Sequence, residues 1–240
     1  ELTEAGAALS PGTSDGFQTL GSAWRAAQRL QDHQTLNVTA GPAFTAKWLA
    51  PRLYEFAQKH PEIELRFSAS LRIMDFTRDA IDVAVRFGRR AEPVMTPALA
   101  ARFPDIQSLT KAPLIFDDSM NFLEPACDWA AWFGTVGVDF TPSLGLRFSQ
   151  ADHAVDAALA GVGVVLGRRA LVVKDIAEGR LVNPYNIALA TGGRFTFLCP
   201  EGTENRPQVR AFREWMLIEI DKTAHITDGL RVIDPKGMAP

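Results

Sequence analysis

Cysteine is nearly absent: Cys127 and Cys199 are the only two in 240 residues. They stand far apart with no CxxC or Cys/His spacing, which excludes a disulfide scaffold or thiolate metal site and fits a reducing cytoplasm with both as packing residues. Histidine is sparse as well. His33, His60, His153 and His225 share no ligand spacing with one another or with carboxylates, so no metal is expected. Excess charge of one sign is also lacking, since 25 Lys and Arg against 28 Asp and Glu leave a net charge of -3. Global charge therefore gives no support to a nucleic-acid-binding surface in this portion, and any DNA-reading part would lie elsewhere. No apolar run approaches a bilayer span, and the opening ELTEAG lacks the sections of a secretory signal. The start on Glu1 rather than Met is that of a fragment or a processed product. GxSxG is absent and no serine can be paired with a base, so no catalytic residue and no cofactor are nominated.

What is present is a hydrophobic content of 47%, enough for a sizeable core in one large domain or two small ones. The most informative stretch runs from Leu36 to Ala69. Phe44, Trp48, Leu49, Leu53, Phe56 and Ala57 recur at helical spacing, with Thr45, Lys47, Arg52, Glu55 and Lys59 on the other face. Pro42 suits the first turn of that helix and Pro61 stops it after His60. Ile63, Leu65, Phe67 and Ala69 then alternate with Glu64, Arg66 and Ser68, so strand, helix and strand make a βαβ unit. Before it, residues 1–31 read as a helix with a narrow stripe of Phe17, Leu20, Trp24 and Ala27, kinked or irregular near Pro11 and Gly12. That stripe packs either on its own domain or against a second chain.

After the unit, DFTRDAIDVAVRFG places a short helix before a strand that Gly88 closes. Thr96 caps a helix with Pro97 at its first position, APLIF is a strand, and Trp129, Trp132 and Phe133 form the core side of a helix. LGLRF, QADHAVDAALAG and VGVVLG make a further strand, helix and strand. LVNPYNIAL and RFTFLCP read as strands and RPQVRAFREWMLIEI as an amphipathic helix. Two α/β lobes follow. Residues 1–35 are the leading helix with its approach, 36–92 and 193–220 the first lobe, 93–192 the second, and 221–240 a weakly periodic, mobile tail.

Gly161, Gly163 and Gly167 superficially suggest a dinucleotide loop, but a phosphate loop follows a strand and opens a helix. Here the helix precedes, so Gly161 ends it in a left-handed turn. Ser149 to Asp152 is a capping-box pattern that places free N–H groups at a helix start directly after strand LGLRF. Pro42 to Thr45 hold the corresponding place in the first lobe. Two helix starts facing one cleft would suit a small anion or polar metabolite. Asp117 and Asp118, adjacent acids after a strand, read as a solvated turn.

Seven segments in order then carry a resemblance: LTEAGAALSP, AFTAKWLAPRLYEFAQKHPEIELRF, AIDVAVRFG, TPALAAR, GLRFSQADHAVDAALAGVGVVLGRRALV, GRLVNPY and CPEGTENRPQVRAFREW. Together they resemble the effector-binding part of a LysR-type transcriptional regulator, in the branch of the glycine-cleavage activator and the beta-lactamase regulator. The resemblance spans Glu1 to about Glu219. It implies two Rossmann-like lobes around a central cleft, like a type II periplasmic binding protein, preceded by a linker helix. It also implies a cytoplasmic, non-enzymatic protein whose small-molecule effector shifts a homodimer or homotetramer on promoter DNA. The DNA would be read by an N-terminal winged helix-turn-helix absent from this sequence, with no membrane partner. Linker helices pair two chains in this family, and the lobes pair side by side and antiparallel.

Carried over residue by residue, the family's ligand positions fall on Ala43, Phe44 and Thr45, on Ser68 and Ser70, on Phe87 and Gly88, on Ser149, Gln150 and Ala151, and on Arg194 and Phe195. Some relatives have a hydroxyl residue where Ala43 stands, which Thr45 would have to supply. Arg86 or Arg194 would add positive field for an anion, and Phe44, Phe87 and Phe195 would equally admit an aromatic acid. Relatives also have a strand and crossover between Phe87 and Thr96 that this sequence lacks. Either that segment is deleted or its residues are missing from the sequence, and the need to pair backbone groups favours the second. The rival class is a periplasmic-type solute-binding protein, against which ELTEAG, the linker helix and the lack of a signal argue.

Overall fold

The computed structural model describes residues 2–31, 34–72, 74–76, 79–86, 89–121, 126–191, 196–223, 226 and 229–233. It opens on one long helix, α1 (Glu4–Gln31), which continues through Pro11 rather than breaking there. The Thr3 hydroxyl accepts from the Gly6 N–H at its start, and the Thr13 hydroxyl donates back to Leu9 O beside the proline. Phe17, Leu20 and Trp24 remain about two-thirds exposed on it.

Two sheets follow. In the first, β1 (Thr35–Ala40) lies between β2 (Glu64–Ala69) and β3 (Val83–Arg86), parallel to both, and β9 (Thr196–Leu198) closes the far side antiparallel to β3. The second has the order β10-β8-β4-β7-β5-β6, made of β4 (Arg89–Val94), β5 (Leu114–Asp117), β6 (Leu146–Phe148), β7 (Val164–Arg168), β8 (Ile187–Thr191) and β10 (Arg231–Ile233). Strands β5, β6 and β7 run parallel, whereas β4 runs against β7 and β8.

Between β1 and β2 the chain is helical but not one regular helix. A short α2 (Pro42–Phe44) leads into a π turn (Thr45–Leu49), a 3-10 turn (Ala50–Arg52) and α3 (Leu53–Lys59). Pro51 explains this: it has no N–H for the carbonyl four residues earlier, and its ring collides with that turn. Next to it, the Arg52 guanidinium donates to Trp48 O at 2.8 Å.

Several expectations need correction. Among the described residues of 75–82 there are turns, not a helix, before β3. Between Phe87 and Thr96, where relatives have a further strand and a crossover, residues 89–94 form β4, which belongs to the second sheet. The supposed tail beyond residue 221 returns to the second sheet as β10, parallel to β8. Only the end of LVNPYNIAL is a strand, because Asn186 takes a positive φ of 52° and turns the chain. RRALV, unassigned from sequence, opens α8 (Arg169–Ala177).

The second lobe carries α4 (Pro97–Ala100), α5 (Ile106–Leu109) and α6 (Trp129–Thr135) on one face of its sheet. There Trp129, Trp132 and Phe133 pack with Met95, Leu109 and Leu189. On the other face are α7 (Ala151–Leu159) and α8. The larger core runs through both lobes: Phe44, Trp48 and Phe56 join Val155 and Val172 from the second lobe and Phe212 and Trp215 from α9 (Pro207–Asp221). Such aromatic burial dominates core energetics, and Phe56 meets Phe212 and Trp215 edge-on at 5.6 and 5.4 Å.

Candidate functional site

The first lobe's part of the site begins where β1 ends. Ala40 stands opposite Ala69 and Val85 in the parallel ladders, so the carboxyl ends of β1, β2 and β3 lie level. Gly41 is the N-cap of α2 in extended conformation and Pro42 its first residue. Ala43 and Phe44 are buried, Phe44 stacking on Trp48 at 5.1 Å. The Thr45 hydroxyl donates to Gly41 O at 3.1 Å, which fixes its rotamer and leaves the oxygen able to accept. Ser70 donates its N–H to Ala40 O, and its hydroxyl accepts from Arg72 N–H. Ser68 is exposed, with its carbonyl taken by the Thr39 hydroxyl.

One step past Val85, Arg86 stands at the level of Gly41. Its guanidinium donates to Val85 O at 3.2 Å and Arg72 O at 3.3 Å, and no carboxylate pairs with it among the described residues. Burial pulls its pKa below the ordinary arginine value. A half-buried cation held by carbonyls alone favours an anion close by.

In the second lobe, β6 leads through Ser149 and Gln150 into α7. The expected capping box does not form: Gln150 is the N-cap without a side-chain bond, and Ser149 lies exposed outside the helix. The helix starts one residue late for a box between Ser149 and Asp152. Asp152 Oδ1 is consequently buried with no hydrogen-bond partner among the described residues. Ala151 is buried, and α7 rests against α2 so that Ala43, Phe44 and Ala151 belong to one apolar cluster. Lys47 and Asp156 form an ion pair across the same junction.

Of the twelve positions named from sequence, Ala43, Phe44 and Ala151 thus come together, Thr45, Ser70 and Gln150 are half-buried, and Ser68 and Ser149 are exposed. Phe87, Gly88, Arg194 and Phe195 lie outside the described residues. Sequence reasoning missed the state of Asp117, which is no solvated turn. Its carboxylate meets Arg168 at 2.9 Å, and both side chains are largely buried. Among the described residues no cluster of His, Cys, Asp and Glu could hold a metal ion, and no helix is long and apolar enough to cross a membrane.

Two sheets joined by strand crossovers, with helix starts meeting at their junction, define a two-lobed effector-binding domain with the type II periplasmic-binding-protein-like fold. The family model described as LysR substrate binding domain matches residues 29–103 and 93–220, and the chain belongs to that family as the effector-binding domain of a LysR-type regulator. The glycine cleavage system transcriptional activator of Escherichia coli K12 is 30% identical over 234 residues, covering 90% of this chain and 75% of that protein. The HTH-type transcriptional activator AmpR of Rhodobacter capsulatus is 26% identical over 228 residues, covering 89% and 76%. Among solved structures, the effector domain of AmpR of Pseudomonas aeruginosa superposes with a TM-score of 0.64 at 24% identity, covering 81% of this chain and all of that one. The LysR-type regulator CrgA from Neisseria meningitidis gives 0.55 at 18% identity, covering 93% of this chain and 81% of its own. The solute-binding alternative is not favoured, since these relatives are transcriptional regulators.

Proposed function

We propose that this domain senses a small polar or anionic metabolite held between the lobes, at the start of α2 and the start of α7, without catalysing its conversion. Arg86 carries the reading: a half-buried guanidinium with only carbonyl partners among the described residues, level with the α2 N-cap, supplies positive field beside a helix start that already favours negative charge. Ser70, Thr45, Gln150 and Ser149 would supply polar contacts, with Phe87, Gly88, Arg194 and Phe195 completing the set by resemblance and Ser68 at its edge. The protein works in the cytoplasm as a homodimer or homotetramer, joined through α1, and acts on promoter DNA through a winged helix-turn-helix beyond this sequence. Effector binding shifts the balance between arrangements of that oligomer.

Mass spectrometry of metabolites co-purified with the protein identifies the effector, and calorimetry then measures its binding. Arg86→Gln weakens an anionic effector at least about tenfold, the loss of one charge-assisted hydrogen bond. If Thr45→Val, Ser149→Ala and Arg86→Gln all bind it as the wild type does, this site is wrong.

A further inference from the structure

A pocket of about 250 Å³ opens beside the carboxyl ends of β5 and β7, and none of the eight described cleft positions lines it. Phe116 on β5 and Leu166 on β7 form its apolar floor, and Trp129 at the start of α6 is a wall, its indole N–H donated to Ile115 O at 2.9 Å. Two ion pairs edge it. Deeper in, Arg168 holds Asp117 and the Ser119 hydroxyl, each at 2.9 Å, with side chains only 9% and 13% exposed for the pair. At the outside, Arg147 meets Asp118 at 2.9 Å and spreads over the Phe116 ring at 4.3 Å, with side-chain exposures of 50% and 30%.

The two pairs have different roles. The buried one fixes the shape of the pocket, because parting it would strand a charge out of water. The outer one is solvated, and exchanging its partners costs little. A simple anion on Arg147 would take it from Asp118, and a simple cation on Asp118 would take that from Arg147, so either gains one ion pair only by giving up another. A ligand carrying both charges replaces both halves at once. The floor and wall of Phe116, Leu166 and Trp129 ask in addition for an apolar group, and the volume is below that of pockets for drug-sized molecules.

We propose that this pocket is a second binding site, taking a free α-amino acid with an apolar side chain. The ammonium group goes to Asp118 and the carboxylate to Arg147, while the side chain lies against Phe116 and Leu166. The site shares no described residue with the interlobe cleft, so it stands or falls independently of the effector reading.

The test is a nitrogen-15 NMR titration of the whole chain with millimolar L-leucine, L-leucinamide and N-acetyl-L-leucine. Leucine is expected to shift the signals of Asn121, Thr141 and the Trp129 indole, the last assigned with Trp129→Phe, whether or not cleft signals also move. Each analogue lacking one charge is expected to bind at least about tenfold more weakly, a difference of about 1.4 kcal/mol. Arg147→Ala and Asp118→Asn, at partly exposed positions, should abolish the pocket shifts while leaving the rest of the spectrum folded. No shift with leucine, shifts confined to Ala43–Thr45 and Ser149–Ala151, or equal binding of all three compounds would overturn the proposal.

Discussion

Lys47, on the π turn after α2, pairs with Asp156 on α7 and so ties the first lobe to the second beside the meeting point of their helix starts. Asp156 is 60% exposed and Lys47 18%, so the bond works largely in solvent. A double-mutant cycle with Lys47→Met and Asp156→Asn should give a coupling below about 1 kcal/mol. Urea unfolding at low and high salt checks this: the coupling should shrink as salt screens it. A coupling of several kcal/mol that ignores salt would mean that the pair is desolvated.

Glu92 is the opposite case. It is fully buried on β4, bonded to Arg169 at 2.6 Å and to the Asn183 amide at 2.8 Å, while Arg169 also donates to Ile226 O and so holds the chain on its way back to β10. Removing one partner leaves an uncompensated charge in the interior. Arg169→Met should therefore destabilise the domain by about 3–5 kcal/mol. The double change Glu92→Gln with Arg169→Met should cost less than Arg169→Met alone, measured as the shift in urea midpoint at constant slope.

These two pairs also separate what the sequence made legible from what it hid. Pro42, Pro97 and Pro207 mark helix starts because in the first turn a missing N–H costs nothing and the fixed φ is already helical, and all three stand there. Gly161 was readable for the same kind of reason. At φ +75° it ends α7, with Gly161 N–H on Ala158 O and Val162 N–H on Ala157 O. Strand β4 was not readable, since RRAEPV has charges and a proline where a buried strand would show an apolar run. What buries Glu92 there is a partner 77 residues away in sequence, and periodicity carries no trace of it. Strand β10 escaped notice in the same way, because it is ordered by pairing with β8 rather than by its own composition. At the site, the pattern around Ser149 was visible but its register was not: a one-residue delay in the start of α7 exchanges a capped helix for an exposed serine and an Asp152 oxygen with no partner among the described residues.

Tyr185 makes stability depend on alkaline pH. Its hydroxyl donates to Phe103 O at 2.8 Å, and burial, with Asp105 adding to it, pushes its pKa from 10.0 up to about 12. The folded state thus keeps a proton that the unfolded chain releases above pH 10. The contribution is complete below the unfolded value and is lost as pH rises from there through the folded value. Tyr185→Phe should be less stable than wild type by about 1 kcal/mol near pH 8. The gap in Tm between the two should narrow across this alkaline window, and a gap that widened there would contradict the assignment.

On α1, Phe17, Leu20 and Trp24 expose 71%, 67% and 66% of their surface on one stripe of a helix that runs 28 residues. A stripe of that length is stable in water when a second copy covers it. Leu20→Glu should lower the oligomer to its next smaller state in sedimentation velocity, with the circular dichroism of the two lobes unchanged. An unaltered sedimentation coefficient would mean that α1 does not join the chains.

Gly163 offers a test of why the glycines around β7 are there at all. They looked like a phosphate loop, but a Cβ at Gly163 would sit 2.3 Å from Pro113 O, the acceptor that binds Val164 N–H at 2.9 Å, so the residue is glycine to let β5 and β7 approach. Neither backbone can yield without breaking the ladder between Leu114 and Val164. Gly163→Ala should accordingly cost about 1–3 kcal/mol or more, as overpacking does in a close-packed interior. Gly134, on the exposed side of α6 with nothing within 4 Å of its Cβ position, is the matched control. Gly134→Ala should be stabilising by up to about 1 kcal/mol, through the reduced freedom of the unfolded chain. Thermal unfolding of the two variants side by side then distinguishes a packing glycine from one that is merely tolerated, and a neutral Gly163→Ala would show that the strands can part there.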